Sequence, residues 1–582
     1  MAKNLSSGGY GKKSDFSAGP VQGVETGIAG FIGLAERGQT EGAPKLVADF
    51  TDFRRQYGGY LPENGYGEYR FLSYCVEHFF INGGSRCYVV RVAPEDAVPS
   101  KGFAPDREKP VLSFTAKNPG SWGDKIRIRL TPTSRNKTAI VEVISGPDGE
   151  KYRCNCSAGI YAGDIVAFRD LRQGTADYHR VVSNQDNILE LSGELGPDAA
   201  DAEFLPSRFL ESCEFTLDVT YEERRERYEY ASLNPASPCF ITEKTAESDL
   251  ISVEAGEYAK EPVPPFNAVT GGAGQPFEIF LEGGFDGSAA QISAADFIGR
   301  DNGPGRRTGI QAFLDNNEVS LMAVPGVTDP AVQLSLTAHC EQLGSRFAVL
   351  DMPRGAKTAD EIAACRELFD TSYAALYHPW LTVCDPLNRK EMALPPSGSI
   401  LGIYARSDSA GGVHKAPVNE AVRACVGPDC DFGKGGYDIL STKGINLIRS
   451  FPGLGIRVWG ARTASNDGSW SYISIRRLFI FIEASIRANT GWASAEPNGE
   501  ALWEKVRRTI DAFLTGLWRS GSLAGTSTRE AFFVNAGPDT MTQDDIDNGR
   551  LICVIGAAPV KPAEFVVLRI SLKTSSSPHA GI

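Results

Sequence analysis

Between residues 306 and 425 the apolar side chains come in short unbroken runs: Ser320-Leu-Met-Ala-Val-Pro325, Phe347-Ala-Val-Leu350, Tyr373-Ala-Ala-Leu-Tyr377 and Trp380-Leu-Thr-Val-Cys384. A strand that is apolar on both faces has to be covered on both faces, which is the situation of a buried parallel sheet. Ala331–Leu343 and Ala359–Asp370, between the runs, have the spacing of amphipathic helices, and Thr308–Leu314 reads as a helix start. Strands alternating with helices give an α/β layer structure, helices above and below one sheet.

From Val111 to about Val219 the period changes. Lys125-Ile-Arg-Ile-Arg-Leu130, Ala139-Ile-Val-Glu-Val-Ile144, Ile165–Phe168, His179–Val182, Ile188–Leu191 and Phe215–Val219 alternate apolar with polar residues, with turn residues between them. That pattern predicts an antiparallel sandwich or barrel. Pro99–Pro110 reads as a polar linker, and the charge run Tyr221–Tyr228 as a solvated face. Upstream, Val24–Gly33 reads as a Gly-interrupted buried strand and Cys87–Val92 as another. Tyr69–Phe80 between them is a helix, stopped by Asn82-Gly83-Gly84.

Several function classes recede on composition. A chain of 582 residues is too long for one core, so three or four domains are expected. A net charge of −13 argues against nucleic acid as a partner. No apolar run approaches the roughly 18–20 residues of a membrane span, so no direct membrane insertion is expected. Residues 1–20 are rich in Gly, Ser and Lys and lack the apolar core of a signal peptide, which points to cytoplasmic synthesis. Among 12 cysteines the close pairs are Cys154 with Cys156 and Cys425 with Cys430, without the second pair that zinc would require. The thiols read as small buried hydrophobes, and no metal or cofactor is implied.

The last third begins with Gly455-Ile-Arg-Val-Trp-Gly-Ala-Arg-Thr463, read as a short buried strand and a turn. A helix over Tyr472–Asn489, a break at Gly491, Pro497 and Gly499, and a second helix over Glu500–Arg519 follow. Trp503, Val506, Ile510, Phe513, Leu514 and Leu517 share one face of the second helix. Phe532–Val534, Leu551–Gly556 and Glu564–Leu572 read as strands. This string resembles the carboxy-terminal domain of tail sheath proteins of contractile phages and related contractile injection systems. The matching pieces are Gly455–Thr463, Arg476-Arg477, Trp503 and Pro562-Ala-Glu-Phe-Val566. Phe79–Gly84 with Tyr88–Val92, Lys117–Asp124, Leu281–Gly287 and Pro395–Arg406 are similar to the family as well. Where the family carries a Pro-Gly-Val-Tyr-like motif near its start, this chain has Ser17-Ala-Gly-Pro-Val21.

The resemblance implies an α/β plus β multidomain fold. Its parts would be a linking arm (1–23), an amino-terminal part of the core (24–98), a β-sandwich or barrel domain (111–220), a subtilisin-like but non-proteolytic α/β sheet domain (281–425), an α+β carboxy-terminal sheath domain (440–560) and a linking strand with tail (561–582). It implies a structural subunit that polymerises helically around an inner tube and contracts to drive the tube through a target envelope. The implied partners are the chain itself, in hexameric rings stacked into a helical sheath, the inner tube protein, and baseplate and terminal cap proteins. Assembly would occur in bacterial cytoplasm, and the product would be part of a phage particle or injection machine. Phe565, Val566, Val567, Leu568, Arg569 and Ile570 are the candidates for strand linking between subunits, since backbone pairing at a sheet edge needs little sequence specificity. Lys505, Arg508 and Arg519 project away from the apolar face of their helix, in a stretch (445–530) with 11 Lys/Arg against 7 Asp/Glu, and are the candidates for tube contact.

An enzyme reading finds little. Gly525-Thr-Ser-Thr528 superficially resembles a serine nucleophile loop, but it lies outside the α/β block. His339, His378 and His414 are the histidines of that block, and a triad needs three placed roles rather than one serine. Asp351 and Asp385 at strand ends read as turn or helix caps. The alternative of a secreted or surface β-rich adhesion protein is disfavoured by the missing signal peptide and the lack of paired cysteines.

Overall fold

The computed structural model describes residues 20–108, 110–147, 149–170, 176–195, 208–256, 276–356, 358–548 and 550–561. The arm over residues 1–19 and the terminal strand with Phe565–Ile570 lie outside the described residues.

An eight-stranded sheet organises the molecule. Six strands run parallel, in the order Cys87–Val92, Ala29–Leu34, Leu321–Ala323, Phe347–Asp351, Ala374–His378 and Asn446–Phe451. An antiparallel strand closes each side, Lys45–Val47 at one and Gly455–Trp459 at the other. One face is covered by helices Phe50–Tyr57, Leu72–Asn82 and Ser397–Gly411, with Phe31, Phe79, Phe347, Tyr377 and Tyr404 in the core. The other is covered by helices Pro330–Leu343, Ala359–Arg366 and Gly433–Thr442, over Ile32, Met322, Leu350 and Leu376. The sheet is parallel and doubly covered, as the unbroken apolar runs predict, but it draws strands from three separate stretches of chain. The expected buried strand at Ile456–Trp459 is a correction: it is a sheet-side strand in which only Val458 is buried, and Trp459 is 43% exposed.

Helix 397–411 carries almost no polar face and is buried nearly all round. Gly398 and Gly402 let it approach helix 72–82 closely. A Cβ at Gly398 would stand 2.3 Å from the Cys75 carbonyl oxygen, and one at Gly402 would stand 2.3 Å from that of Phe79. Helix 72–82 ends at Gly83, whose φ of 115° is left-handed, as the Asn-Gly-Gly stop predicts.

The β-rich part resolves into two bodies. Residues 137–212 form a closed antiparallel barrel of six strands around Ile140, Tyr152, Val166, Val181, Leu189 and Leu210. Beside it lies a sandwich. Lys101–Ala104, Leu112–Ala116 and Ile251–Ala255 form one sheet, and Arg127–Thr133, Glu214–Tyr221, Arg224–Ala231 and Phe277–Phe280 the other, with Phe114, Ile128, Leu217, Val219 and Val253 between them. It therefore reaches beyond 111–220 on both sides. The presumed linker holds strand 101–104, and most of the charge run is strand 224–231, where alternation of exposed and half-buried residues passes for pure charge. The whole excursion is pinched at its base, where Val98 pairs with Phe285 and Lys101 with Glu282.

The carboxy-terminal unit consists of helices Ile473–Asn489 and Glu500–Arg519 and a two-stranded sheet, Phe532–Ala536 with Cys553–Ala557. Leu478, Ile482, Leu502, Val506, Ile510, Leu514, Phe532 and Val534 form its core.

Candidate assembly surfaces

Arg476 and Arg477 join the carboxy-terminal unit to the sheet body. Arg477 reaches into the body and pairs with Asp408 at 2.5 and 3.0 Å, lies 4.8 Å from the Tyr404 ring centre and donates to the Thr26 carbonyl. Both partners of the pair are buried, their side chains 4% and 7% exposed. Arg476 stacks between the Trp470 and Tyr373 rings and donates to the Ser372 hydroxyl. Arg477 is satisfied by charge and geometry together, the condition for a buried cation to be tolerated, and Arg476 by aromatic faces and hydroxyl acceptors. His414 and Ser522 add a further contact at 2.9 Å between the end of helix 397–411 and the loop after helix 500–519.

The proposed tube-contact residues lie on helix 500–519, where the structure gives two of them partners. Lys505 pairs with Glu496 at 3.1 Å and sits over the Trp492 ring, and Arg508 pairs with Glu504 one turn away. Arg519, like Arg507, is exposed. Trp503 is half-buried, and its indole donates to Asn498 at 2.8 Å.

The two-stranded sheet is short of partners. Among the described residues it gains one further bridge, Leu523 to Pro559. Phe533, Val554 and Val560 are exposed on or beside it, at 53%, 44% and 42%. A sheet edge whose N–H and C=O groups are free is a template for an added strand.

The residues suspected of chemistry have structural roles. Asp351 accepts from the Gly326 and Ser397 amides and the Ser397 hydroxyl, tying a strand end to the start of helix 397–411. Burial pushes its carboxyl up to about 6. Asp385 accepts from Leu387 N–H and from the Asn388 carboxamide in its own turn. Ser527 precedes the short helix Thr528–Ala531, and its backbone carbonyl accepts from the Glu530 and Ala531 amides. His378 lies 3.5 Å from the Cys430 thiol, but burial holds that thiol up at about 12 and the imidazole down at about 4. A thiol so hard to ionise is a poor nucleophile. All twelve cysteines are free. Among the described residues, no group of His, Cys, Asp or Glu could hold a metal, and no helix is long and apolar enough to cross a membrane.

Fold and surfaces together define a structural subunit, in which the distinctive residues join one piece of protein to another. Residues 302–464 match the phage tail sheath protein central domain, and residues 465–573 match the phage tail sheath C-terminal domain. The chain is 26% identical over 293 residues to a putative prophage major tail sheath protein of Pseudomonas aeruginosa, covering 49% of this chain and 73% of the relative. It is 25% identical over 289 residues to the tail sheath protein of Escherichia phage P2, covering 48% and 70%. Its fold is similar to that in a PVC sheath complex in the contracted state, an extracellular contractile injection system, with a TM-score of 0.50 at 20% identity over 98% of both chains. The chain belongs to the tail sheath family of contractile phage tails and injection systems, and is a structural sheath subunit.

Sequence reasoning noticed Arg476 and Arg477 only as part of a resemblance. Asp408, Thr26 and Tyr404, which complete their setting, lie far away in the chain and give no local signal.

Proposed function

We propose that this subunit polymerises helically around an inner tube and that the polymer shortens to drive the tube through a target envelope. The observation that carries this reading is the partner-poor sheet 532–536/553–557. Residues 562–582 continue from its second strand and include Phe565–Ile570, which pair with a neighbour's sheet by backbone hydrogen bonds. A head-to-tail link of this kind does not close on itself and so builds a helical filament. The solved sheath complex of an injection system supports self-assembly into a sheath. Hexameric rings, the baseplate and terminal cap as further partners, and assembly in bacterial cytoplasm belong to the same reading. So does the body's likeness to subtilisin, which the doubly covered parallel sheet supports, without proteolysis or other catalysis. Arg519, Lys505 and Arg508 face the tube, the latter two exchanging Glu496 and Glu504 for acidic groups on it.

Deletion of residues 562–582 tests this. The truncated chain is expected to stay soluble and folded by circular dichroism and to form no polymers in negative-stain microscopy. Polymers of ordinary length from the truncated chain would overturn it.

A further inference from the structure

Before entering the strand Ala29–Leu34 the chain runs along helix 473–489 and is held at every other residue. The Asn489 carboxamide exchanges hydrogen bonds with the Gln22 backbone, accepting from its N–H at 3.3 Å and donating to its carbonyl at 2.9 Å, as a neighbouring strand would. Val24 N–H donates to the Ser485 hydroxyl at 3.1 Å. The Thr26 hydroxyl donates to Asp408 at 2.5 Å, and its carbonyl accepts from Arg477 at 3.0 Å. Gly23 lies against Phe481, whose ring is 2.7 Å from where a Cβ would stand, and Phe481 meets Phe513 of helix 500–519. Side chains from two helices, 473–489 and 397–411, thus fix a few residues that have no secondary structure of their own, with Phe513 of a third behind Phe481.

We propose that residues 22–26 are an exit guide, with Asn489, Ser485, Phe481, Asp408 and Arg477 as its positioning residues. The guide fixes the point on the carboxy-terminal unit at which the described chain begins, and any exchange of the arm begins upstream of Gln22. This rests on the reading that subunits are linked by exchanged terminal segments, extended here to the amino-terminal arm. The physical reason is effective concentration. A tether delivers its end best when its length matches the gap, and less well when slack is added. Releasing residues 22–28 moves the anchor back to strand 29–34 and adds on the order of 20 Å of slack.

Gly23→Val sets the test. The new side chain meets the Phe481 ring and expels the guide without touching the sheet, and Gly23→Val with Phe481→Ala restores the room. The expected result is a folded Gly23→Val subunit with faster amide exchange at Gln22 and Val24 and polymer yield lowered about 1.5- to 2-fold, recovered in the double variant. Ser485→Ala with Asn489→Ala shifts yield and exchange in the same direction by less, and decides the matter if Gly23→Val fails to fold. Wild-type polymer yield from a variant whose guide amides exchange freely overturns the proposal. Deletion of residues 1–19, run in parallel, separates the two ideas. If that deletion polymerises normally, exchange of this arm is wrong. If it abolishes polymers while a released guide does not matter, the guide alone is wrong.

Discussion

The large sheet and the small sheet of this subunit treat their sides in opposite ways. At one side of the large sheet the last strand has three residues, and the Gln56 carboxamide donates to its Leu46 carbonyl. At the other, residues 419–422 pair with strand 455–459 through Asn419 N–H to Val458, Val458 N–H to Glu420 and Val422 N–H to Ile456. Both sides are blunted against further pairing, as natural sheets commonly are. Among the described residues the small sheet has one bridge beyond its own two strands, and it exposes Phe533 and Val554. Among the described residues the same chain thus terminates pairing where it builds the body and leaves it incomplete at the carboxy-terminal sheet, where we propose that subunits link. An open side is evidence of assembly only when the rest of the molecule shows that closing a side is within its means.

The largest effect should come from the body. Gly402→Leu drives a side chain into the Phe79 carbonyl, a backbone atom that cannot step aside. A loss of about 3 kcal/mol or more is expected, read as a lowered urea midpoint or insoluble protein. A midpoint equal to wild type would mean that helices 72–82 and 397–411 do not pack as described.

Acid should separate the regions next. Burial holds His78 and His378 down at about 4 and His339 at about 3, all three in the body. A histidine depressed by folding stabilises above its unfolded value near 6.5, and that contribution is lost as pH falls toward the folded value. Asp351, raised to about 6, acts the other way, adding stability as pH falls through 6 toward 4. Glu77 and Asp429, also raised by burial, act with Asp351 and offset part of this, and the three strongly depressed histidines set the direction, a net loss of stability between pH 7 and 4.5. His339 accepts from Arg346 at 3.1 Å, so its protonation would set two cations together. His339→Gln should flatten the pH dependence, and an unchanged slope of urea stability against pH would contradict the assignment.

The smallest effect on stability should come from the open sheet. Val554→Lys with Phe533→Lys places charges on exposed positions and should leave the melting temperature within a few degrees, since exposed substitutions usually change stability by about 0.5 kcal/mol or less. Polymer formation should nevertheless fall, because charged side chains are what proteins use to block an added strand. Normal polymers would move the subunit link elsewhere.

What could be read from the chain depended on whether a segment has one buried face or several. Helix 500–519 was legible end to end because Trp503, Val506, Ile510 and Leu514 make one stripe. Helix 397–411 has no stripe to show, being buried nearly all round, and Pro395–Arg406 was legible only as a likeness to the family. Helix 433–442 hides behind Gly433-Lys-Gly-Gly436 in the same way. Alternation could announce antiparallel strands in 111–220 but not their division into a closed barrel and a sandwich, because closure is decided by which strands meet. Lys505 and Arg508 looked like free charge because Glu496 and Glu504 were counted by sign and not by position.

Val98 facing Phe285 and Lys101 facing Glu282 turn nearly two hundred residues into a bead hung on a closed loop of thread. Among the described residues the body is fastened to the bead by contacts such as Arg37 to Tyr221, Arg91 to Pro119, Arg224 to the Arg55 carbonyl and Lys125 to Glu36. Bodies of very different size could be strung there by trimming or growing the bead, while the strands below keep their places.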